Sequence, residues 1–206
     1  PATANGLQWA TRPLAVPMRI ATLVTAALLA LPVTALAKPE PAMTPLFSFE
    51  AKADEPRWVA VNDGVMGGRS RGGPVVEEGV LTFSGVLSLE NNGGFSSVRT
   101  VGRDFDFSDA TAVVLRVRGD GRSYQLRLAT DARFRGITVS YGGEFGTEAG
   151  QWTEVRVPLA DLRPSAHGFA LQGPPLDAAR VRELGLLIGD KREGPFQLEV
   201  DWIAVE

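Results

Sequence analysis

A loop rich in glycine and polar residues is the first place where this sequence could hold a ligand. Residues 62–64 are Asn-Asp-Gly, an apolar pair follows, and residues 67–72 read Gly-Gly-Arg-Ser-Arg-Gly. A phosphate-binding loop needs Gly-Lys-Ser/Thr at the start of a helix, and this sequence lacks that pattern. Plain turn formation and a ligand or partner loop are the interpretations that stay open.

Hydrolytic chemistry has few candidate residues. A hydroxyl–imidazole–carboxylate triad would have to use His167, the single histidine, with Ser165 or another serine brought close by the fold. Nothing in the segment SAHGFAL marks a catalytic site, and a lone loop histidine is more often a surface residue. A carboxylate pair for glycoside hydrolysis is spatial rather than sequential, and no motif among the 24 acidic residues indicates one.

Aspartates in turns could supply oxygen ligands to a structural calcium ion. The candidates are Asp106 with Asp109, or Asp104 with Asp201. No EF-hand spacing connects them, so solvated turn aspartates are the favoured interpretation. The sequence therefore implies no metal or other cofactor.

Composition narrows the possible functions further. The chain has 206 residues, of which 44% are hydrophobic and 22% charged, as is ordinary for a globular protein. The formal net charge of -3 gives no basic surface for nucleic acid or an anionic membrane. Cysteine is absent, which excludes disulfides, thiolate catalysis and cysteine-ligated metals.

The N-terminal region has the pattern of an export signal. Met18 and a basic residue precede a hydrophobic run at residues 20–31, and Pro32 ends that run. An Ala-Leu-Ala sequence then ends at Ala37, as at a signal-peptidase site. The pattern predicts a signal peptide at 18–37, with cleavage after Ala37 and a periplasmic product.

Other segments complete the predicted organisation. Residues 1–17 are interpreted as lying upstream of the true start or in a misjudged reading frame. The alternative to a signal peptide is a membrane anchor at 20–37, although Pro32 interrupts it and a spanning helix needs about 20 residues. Residues 38–45 carry three prolines and predict an extended lead-in. Residues 46–206 are predicted to form a single domain.

Apolar and polar residues alternate along this domain and predict β-strands. The clearest run is 196–202, and Gly85 within an earlier run indicates a bulge or a close approach of two backbones. One short helix is predicted at 177–183, with Asp177 as its N-cap, before a buried strand at 184–188. Short strands separated by Gly/Pro turns predict an all-β, mostly antiparallel sandwich or barrel. One short helix that leads into a buried strand fits a jelly-roll sandwich.

Aromatic residues divide into predicted core residues and candidates for a sugar site. Trp152 and Trp202 fall in register with apolar neighbours, which predicts core packing, and Trp58 is expected to anchor the glycine loop. Three further rings flank loops and turns and could form a platform for stacking sugars, although half-buried sandwich aromatics are commoner. These three are Phe134, Tyr141 and Phe145.

Five segments of the chain form a set with a characteristic order and spacing. They are WVAVNDGVMGGRS (58–70), LTFSGVLSLENNGGFSSVRT (81–100), DGRSYQLRL (120–128), GQWTEVRVPLADLRP (150–164) and ELGLLIGDKREGPFQLEVDWI (183–203). Together they resemble the complex I intermediate-associated protein 30 family, over residues 47–205. The resemblance implies a galactose-binding-like jelly-roll β-sandwich, in agreement with the alternation.

The resemblance also implies a function. Mitochondrial members act as assembly factors for the respiratory NADH:ubiquinone oxidoreductase, binding membrane-arm intermediates without catalysing a reaction. The family motifs supply no catalytic residue, and they mark two loops with the strand that follows the second as candidate interaction sites. The marked residues are Asn62, Asp63, Gly64, Met66, Gly67, Gly68, Ser70, Asn91, Asn92, Gly93, Gly94, Phe95 and Arg99.

The two loops have a structural and a functional interpretation. Asn and Asp side chains bond to nearby amides and glycine adopts positive φ, so the loops could hold each other, with Met66 and Phe95 packed between them. The same mixture of amide, carboxylate, guanidinium and apolar groups suits a partner or ligand site. The sequence favours the structural interpretation and leaves the functional one open.

The export signal changes what the resemblance implies. The mitochondrial matrix corresponds to the bacterial cytoplasm, whereas an exported protein meets only the outward face of a membrane complex. We therefore expect a non-catalytic module that assists the assembly or stability of a membrane or envelope protein, with a protein partner and no nucleic acid. The alternative is a periplasmic module that binds carbohydrate or a small ligand, and a hydrolase is the least supported class.

Overall fold

The computed structural model describes residues 42–50 and 56–206. The predicted signal peptide at 18–37, the alternative anchor at 20–37 and the segment 1–17 lie outside these residues. Within the described ranges, no helix has the length and hydropathy needed to span a membrane.

Thirteen strands and four short 3-10 helices make up the described part of the chain. The strands are β1 Thr44–Phe47, β2 Arg57–Asn62, β3 Arg71–Glu77, β4 Val80–Leu87, β5 Ser96–Val101, β6 Ala112–Arg118, β7 Ser123–Phe134, β8 Ile137–Gly146, β9 Trp152–Pro158, β10 Arg163–Ala166, β11 Phe169–Ala170, β12 Glu183–Ile188 and β13 Gly194–Val205. The 3-10 helices are Asp63–Met66, Glu90–Asn92, Leu159–Asp161 and Ala178–Arg180.

The strands form two antiparallel sheets. The six-stranded sheet has the order β3-β4-β13-β6-β9, with β1 also paired to β13, and the seven-stranded sheet has the order β11-β10-β8-β7-β12-β5-β2. The chain crosses between the sheets repeatedly, for example from β4 to β5 and from β6 to β7. This is the all-β jelly-roll sandwich that the alternation and the family resemblance predicted.

The first strand of the described sandwich begins at Thr44, two residues before the predicted domain boundary, because Thr44 pairs with Val205.

The core lies between the sheets and is built from the apolar positions of alternating strands. Leu81 and Phe83 of the first sheet and Leu126 of the second are fully buried. Each such side chain contributes about 1.5–3 kcal/mol through the hydrophobic effect. Gly85 is a close approach, as predicted, because a Cβ there would lie 2.0 Å from the carbonyl oxygen of Arg71.

A β-bulge in β13 changes which of its side chains enter the core. The pairing with β6 passes from Val200 directly to Trp202, so one residue is left without a partner. Such a bulge reverses the alternation beyond it. Ile203 is therefore buried and Trp202 only half-buried. The predicted core position of Trp202 is wrong for this reason.

Trp152 is also half-buried rather than a core residue. The guanidinium groups of Arg116 and Arg118 lie 5.4 and 4.9 Å from the centroid of its ring. These arginines in turn form ion pairs with Asp201 and Glu199. Trp152 therefore packs within a charged ladder on the outer face of the six-stranded sheet, which is favourable for an aromatic ring beside cations.

The helix predicted at 177–183 is shorter than expected. Only Ala178–Arg180 forms a single 3-10 turn, and Asp177 makes no side-chain cap. The Asp177 carboxylate instead accepts a hydrogen bond from Arg180 Nε at 2.7 Å. Val181 then forms two backbone hydrogen bonds with Phe105, which ends the turn. The buried strand predicted at 184–188 is confirmed as β12.

Candidate functional site

Asp63 lies at the centre of the first glycine-rich loop. It follows β2 directly, begins the 3-10 turn Asp63–Met66 and is fully buried. Its Oδ1 accepts a hydrogen bond from the Ser70 amide at 2.9 Å, and its Oδ2 accepts one from the Ser70 hydroxyl at 2.5 Å. These bonds close the loop between β2 and β3 around the carboxylate.

The same carboxylate also holds the second loop, between β4 and β5. Oδ2 of Asp63 accepts hydrogen bonds from the amides of Gly94 at 2.7 Å and Phe95 at 3.3 Å. The amide of Asp63 donates to the carbonyl of Phe95, and Asn91 Nδ2 donates to the carbonyl of Gly67 at 3.2 Å. The expectation that the two loops hold each other is therefore confirmed.

The hydrogen bonds determine the charge state of Asp63. Burial alone would raise the pKa of this carboxyl group. The bonds from the Ser70 hydroxyl and from the amides of Gly94, Phe95 and Ser70 outweigh burial and hold the pKa below its ordinary value of 3.8. The carboxylate is thus ionised at neutral pH and accepts four hydrogen bonds from the two loops.

Two of the glycines are required by the space around Asp63. A Cβ on Gly68 would lie 2.4 Å from Asp63 Cγ, and one on Gly93 would lie 2.6 Å from Oδ2. Gly67 and Gly94 have φ values of +88° and +125°, which side-chain-bearing residues rarely adopt. Gly64, by contrast, has open space around it. Most glycines of the family motif are therefore needed for the close packing and the backbone conformation of the loops.

The neighbouring polar residues are also engaged within the fold. Asn62 Nδ2 donates to the carbonyl of Gly72 at 3.0 Å, and Asn62 Oδ1 accepts from the Ser96 hydroxyl at 2.6 Å. Asn92 is exposed and has a φ of +60°, which asparagine tolerates better than most residues. Trp58 packs against Phe47, with ring centroids 5.5 Å apart, near the start of β2.

Met66 does not fill the space between the loops, contrary to the prediction. Its side chain is 57% exposed, that of Val65 is 75% exposed, and Phe95 is half-buried. The Asp63 hydrogen bonds already join the loops, so the 3-10 turn can present Val65 and Met66 outward. All three apolar residues line one end of a groove.

The groove has a volume of about 870 Å³ and crosses the outer face of the seven-stranded sheet. Strands β5, β12, β7 and β8 form its floor, and the loops at 65–66 and 167–168 also line it. Backbone register places Arg99, Gly185, Arg127 and Gly142 side by side across these four strands. The Arg127 side chain lies over Gly142, where a Cβ would be 3.1 Å from Nη1 and 3.3 Å from Cδ.

Arg127 is the central charged residue of the groove floor. Its Nε donates to the Ser140 hydroxyl at 3.0 Å, and its two Nη atoms donate to Gln125 Oε1 at 3.1 Å and to the Ser165 hydroxyl at 3.0 Å. All three acceptors are neutral. Burial lowers the pKa of this guanidinium group below its ordinary value. By contrast, Arg99 at the side of the groove is paired with Glu183 at 3.0 Å.

The predicted sugar platform is not formed. Tyr141 is fully buried and donates its hydroxyl hydrogen to the carbonyl of Pro175. Phe145 is also buried and stacks on Tyr124 inside the sandwich, with centroids 6.2 Å apart. Phe134 alone of the three is partly exposed. Alternation in β8 turns Tyr141 and Phe145 toward the core, so neither ring face is free to stack on a sugar.

The residues considered for catalysis and calcium are exposed or engaged in other contacts. His167 is exposed in the turn between β10 and β11, whereas Ser165 is bonded to Arg127 in β7. Asp106 accepts hydrogen bonds from Ser108, and Asp104 and Asp201 form ion pairs with arginines. Across the described residues, no group of three or more His, Asp or Glu side chains is placed to hold a metal ion.

Sequence reasoning did not single out Arg127. The residue occupies a polar position in an alternating strand, as many surface arginines do. Its environment depends on Ser140, Ser165 and two glycines that come from other strands. To identify Arg127 as a binding residue, one would need to know which strands pair, and the sequence alone does not provide that.

Comparisons with known proteins agree with the fold and the motif. The chain is 29% identical to the mitochondrial complex I intermediate-associated protein 30 of Mus musculus over 188 residues, which is 78% of this chain and 55% of that protein. It is 31% identical to the Drosophila melanogaster protein of the same name over 128 residues, 55% of this chain and 43% of that protein. The chain thus spans about half the length of these relatives.

Solved structures with a similar fold are carbohydrate-binding modules and agarases. The family 11 carbohydrate-binding module of a Clostridium thermocellum cellulase superposes with a TM-score of 0.60 at 14% identity, covering 80% of this chain and 94% of that one. An agarase gives a TM-score of 0.55 at 15% identity, covering 81% of this chain and 25% of that one. At such identities the likeness concerns the fold alone.

The family assignment rests on the sequence. The family described as Complex I intermediate-associated protein 30 matches residues 47–200, from the end of β1 to the middle of β13. The match includes both loops that Asp63 joins and every strand of the groove floor. This chain belongs to the complex I intermediate-associated protein 30 family.

Proposed function

We propose that this chain is a non-catalytic interaction module that assists the assembly or stability of a membrane or envelope protein. The observation that carries the proposal is that the loops of the family motif contain two groups of residues with different roles. Asp63 and the glycines are engaged in holding two loops, whereas Val65 and Met66 are left exposed at the end of the groove. Exposed apolar side chains beside a groove are typical of protein-binding surfaces.

The names of the relatives support a protein partner. The mouse and fly proteins are named for association with an intermediate of complex I. A role in assembling a respiratory membrane complex is therefore the most specific form of the proposal. This chain spans only about half of each relative. We therefore assign it that general role and not the particular partners of the full-length relatives.

A carbohydrate-binding module is the second candidate function. The groove floor favours it in one respect, because Gln125, Arg127 and Ser140 could form hydrogen bonds with hydroxyl groups. The lining disfavours it in another respect, because Phe95 is the only Phe, Tyr or Trp among the described side chains of the groove, and it is half-buried. A sugar ring would have no open aromatic face on which to stack.

Deletion of the encoding gene tests the proposed function. We expect native electrophoresis of membranes from the deletion strain to show less of one assembled complex and more of its subassemblies. Wild-type protein should restore the pattern. The double variant Val65→Asp/Met66→Asp should fold normally, because both side chains are exposed, and should fail to restore it. Unchanged membrane complexes in the deletion strain would overturn the proposal.

We also propose that the protein is exported. The support is the sequence pattern at residues 18–37. Fractionation followed by intact mass measurement should find a periplasmic species that begins at Lys38. An unprocessed species in the cytoplasm would contradict export and would favour assembly work on the cytoplasmic side of the membrane.

A further inference from the structure

Arg127 carries a positive charge that the described fold does not neutralise. Its three hydrogen-bond acceptors, on Gln125, Ser140 and Ser165, are all neutral. None of the ion pairs formed within the described ranges includes it. A guanidinium group has more N–H donors than these acceptors use, so it retains capacity for a further acceptor.

Arg127 is half-buried, which makes its lack of an anionic partner significant. Removing a cation from water without an anion nearby is unfavourable, and burial lowers the pKa of Arg127 accordingly. Arg122, which is buried, shows the alternative, because Asp190 contacts it with both carboxylate oxygens. The fold therefore neutralises Arg122 and leaves the half-buried Arg127 facing the groove.

The space around Arg127 is shaped for access from the groove. Its side chain lies over Gly142 of β8, and its neighbour on β12 is Gly185, which has no side chain to cover it. The other charges that line the groove are Arg99 and Glu183, which pair with each other. The lining therefore has a net positive charge, located on Arg127 and complementary to an anion.

We propose that the groove binds an extended acidic segment of a partner protein, with a carboxylate of that segment on Arg127 and an aliphatic side chain against Val65 and Met66. Carboxylates suit a guanidinium group because the two can form paired hydrogen bonds. This assignment rests on the proposed function as a protein-interaction module. It adds the chemistry of the bound segment.

The dimensions of the sheet limit the length of the segment. Val65 and Met66 follow the end of β2, which is the third strand from β7 and ends three residues beyond Val59 in the row of Arg127. Strands lie about 4.8 Å apart and residues about 3.3 Å apart along a strand, so this end of β2 is about 17 Å from Arg127, and an extended chain covers that distance in about five residues. The apolar end of the groove, formed by Val65, Met66 and Leu187, has the aliphatic character that such a residue requires.

Selection from a phage-displayed library of random linear peptides on the full chain tests the proposal. We expect selected peptides to share an Asp or Glu about five positions from an aliphatic residue. Replacing that acidic residue by its amide in a synthetic copy should weaken binding to the wild-type chain by about tenfold or more, as expected for about 1.4 kcal/mol. This measurement does not depend on the folding of any protein variant.

Protein variants then locate the contact. Arg127→Gln should weaken the binding of the selected peptides by a similar factor. Arg163→Gln is the matched control, because Arg163 lies in the same row of the sheet, is exposed and does not line the groove. It removes the same charge and should change affinity by less than about twofold, since exposed charges contribute little. Equal effects of the two variants would overturn the assignment to Arg127.

Other results would also overturn the inference. Selected peptides without acidic residues, or no loss on changing the acid to its amide, would contradict a carboxylate ligand. If no peptide is selected and trigalacturonate binds in an Arg127-dependent way, the groove is a site for acidic sugars and the peptide assignment is wrong. Should Arg127→Gln protein fully restore membrane assembly in the deletion strain, the module works through another surface and the inference fails, while the proposed function stands.

Discussion

At the scale of single residues, Asp63 shows how one carboxylate can organise two loops. It accepts four hydrogen bonds, two from Ser70 and one each from the amides of Gly94 and Phe95. Three of these bonds reach Oδ2 and one reaches Oδ1, and the residue is fully buried, so the carboxylate is not accessible to a ligand. The conspicuous acidic residue of the motif is therefore structural, and binding is left to the residues that it positions.

Replacing Asp63 by alanine should destabilise the fold. The amides of Ser70, Gly94 and Phe95 would lose their acceptor, and each buried donor without a partner costs about 1–3 kcal/mol. We expect the free energy of unfolding to fall by about 3 kcal/mol or more, and the melting temperature by about 6–12 °C for a domain of this size.

Asp109 provides the control for this variant, because it is an exposed aspartate in a loop. Asp109→Ala should change the free energy of unfolding by less than about 0.5 kcal/mol. If Asp63→Ala kept the wild-type melting temperature and lost only partner binding, Asp63 would have to be reassigned as a binding residue.

The depressed pKa of Asp63 predicts a pH dependence of stability. Because the folded-state pKa lies below the ordinary value of 3.8, the contribution is present above that value and is lost as pH falls through the folded pKa. Urea midpoints of wild type and Asp63→Asn should differ by a constant amount between about pH 5 and pH 7 and converge below about pH 4. A difference at pH 3 as large as at pH 7 would contradict this account.

At the scale of elements, the loops depend on glycine for space as well as for backbone conformation. Gly93 has a negative φ of -69°, so conformation does not require glycine there. Its requirement is steric, because a Cβ would lie 2.6 Å from Asp63 Oδ2 and 2.9 Å from the carbonyl oxygen of Glu90. The loop between β4 and β5 can therefore approach Asp63 only without a side chain at this position.

Gly93→Ala and Gly64→Ala form a matched pair that tests this requirement. Gly93→Ala should lower the free energy of unfolding by about 1–3 kcal/mol through overpacking. A Cβ added at Gly64 would meet no atom within 4 Å, so Gly64→Ala should be neutral or stabilising by up to about 1 kcal/mol. Chemical denaturation of both variants measures the difference. Equal effects would show that space around Asp63 is not the constraint.

At the scale of the whole molecule, a buried ion pair joins two connections between the sheets. Arg122, in the turn from β6 to β7, is 5% exposed and contacts Asp190, in the turn from β12 to β13, with bonds of 2.6 and 3.0 Å. It also donates to the carbonyl of Pro195 at 2.8 Å. Burial would raise the pKa of Asp190, but the bonds from Arg122 and from the Arg192 amide outweigh burial and lower that pKa.

Removing Arg122 should destabilise the sandwich strongly, because Asp190 would be left as a buried charge without its partner. We expect Arg122→Ala to lower the free energy of unfolding by about 3–5 kcal/mol. Arg156→Ala is the control, since Arg156 contacts Glu206 with two similar bonds at an exposed site, where such pairs contribute about 0–1 kcal/mol. Urea denaturation should separate the two variants, and similar losses would contradict the importance of burial.

The sequence by itself determined the fold class and the location of the loops. Alternation predicts strands because successive side chains point to opposite faces, and glycine and asparagine predict turns because they tolerate positive φ. Both rules act over a few residues. For the same reason the sequence indicated that Asp63 is a turn residue, and the export signal at 18–37 remains a prediction from sequence.

Only the tertiary structure decided which side chains face a ligand. A single bulge after Val200 moved Trp202 out of the core, and alternation within β8 buried Tyr141 and Phe145. The setting of Arg127 comes from strands far apart in the chain, with neutral acceptors and glycines assembled around it by pairing. Such surroundings depend on which distant strands pair. The local pattern specifies which face of a strand is buried, but it does not name the strand's partner.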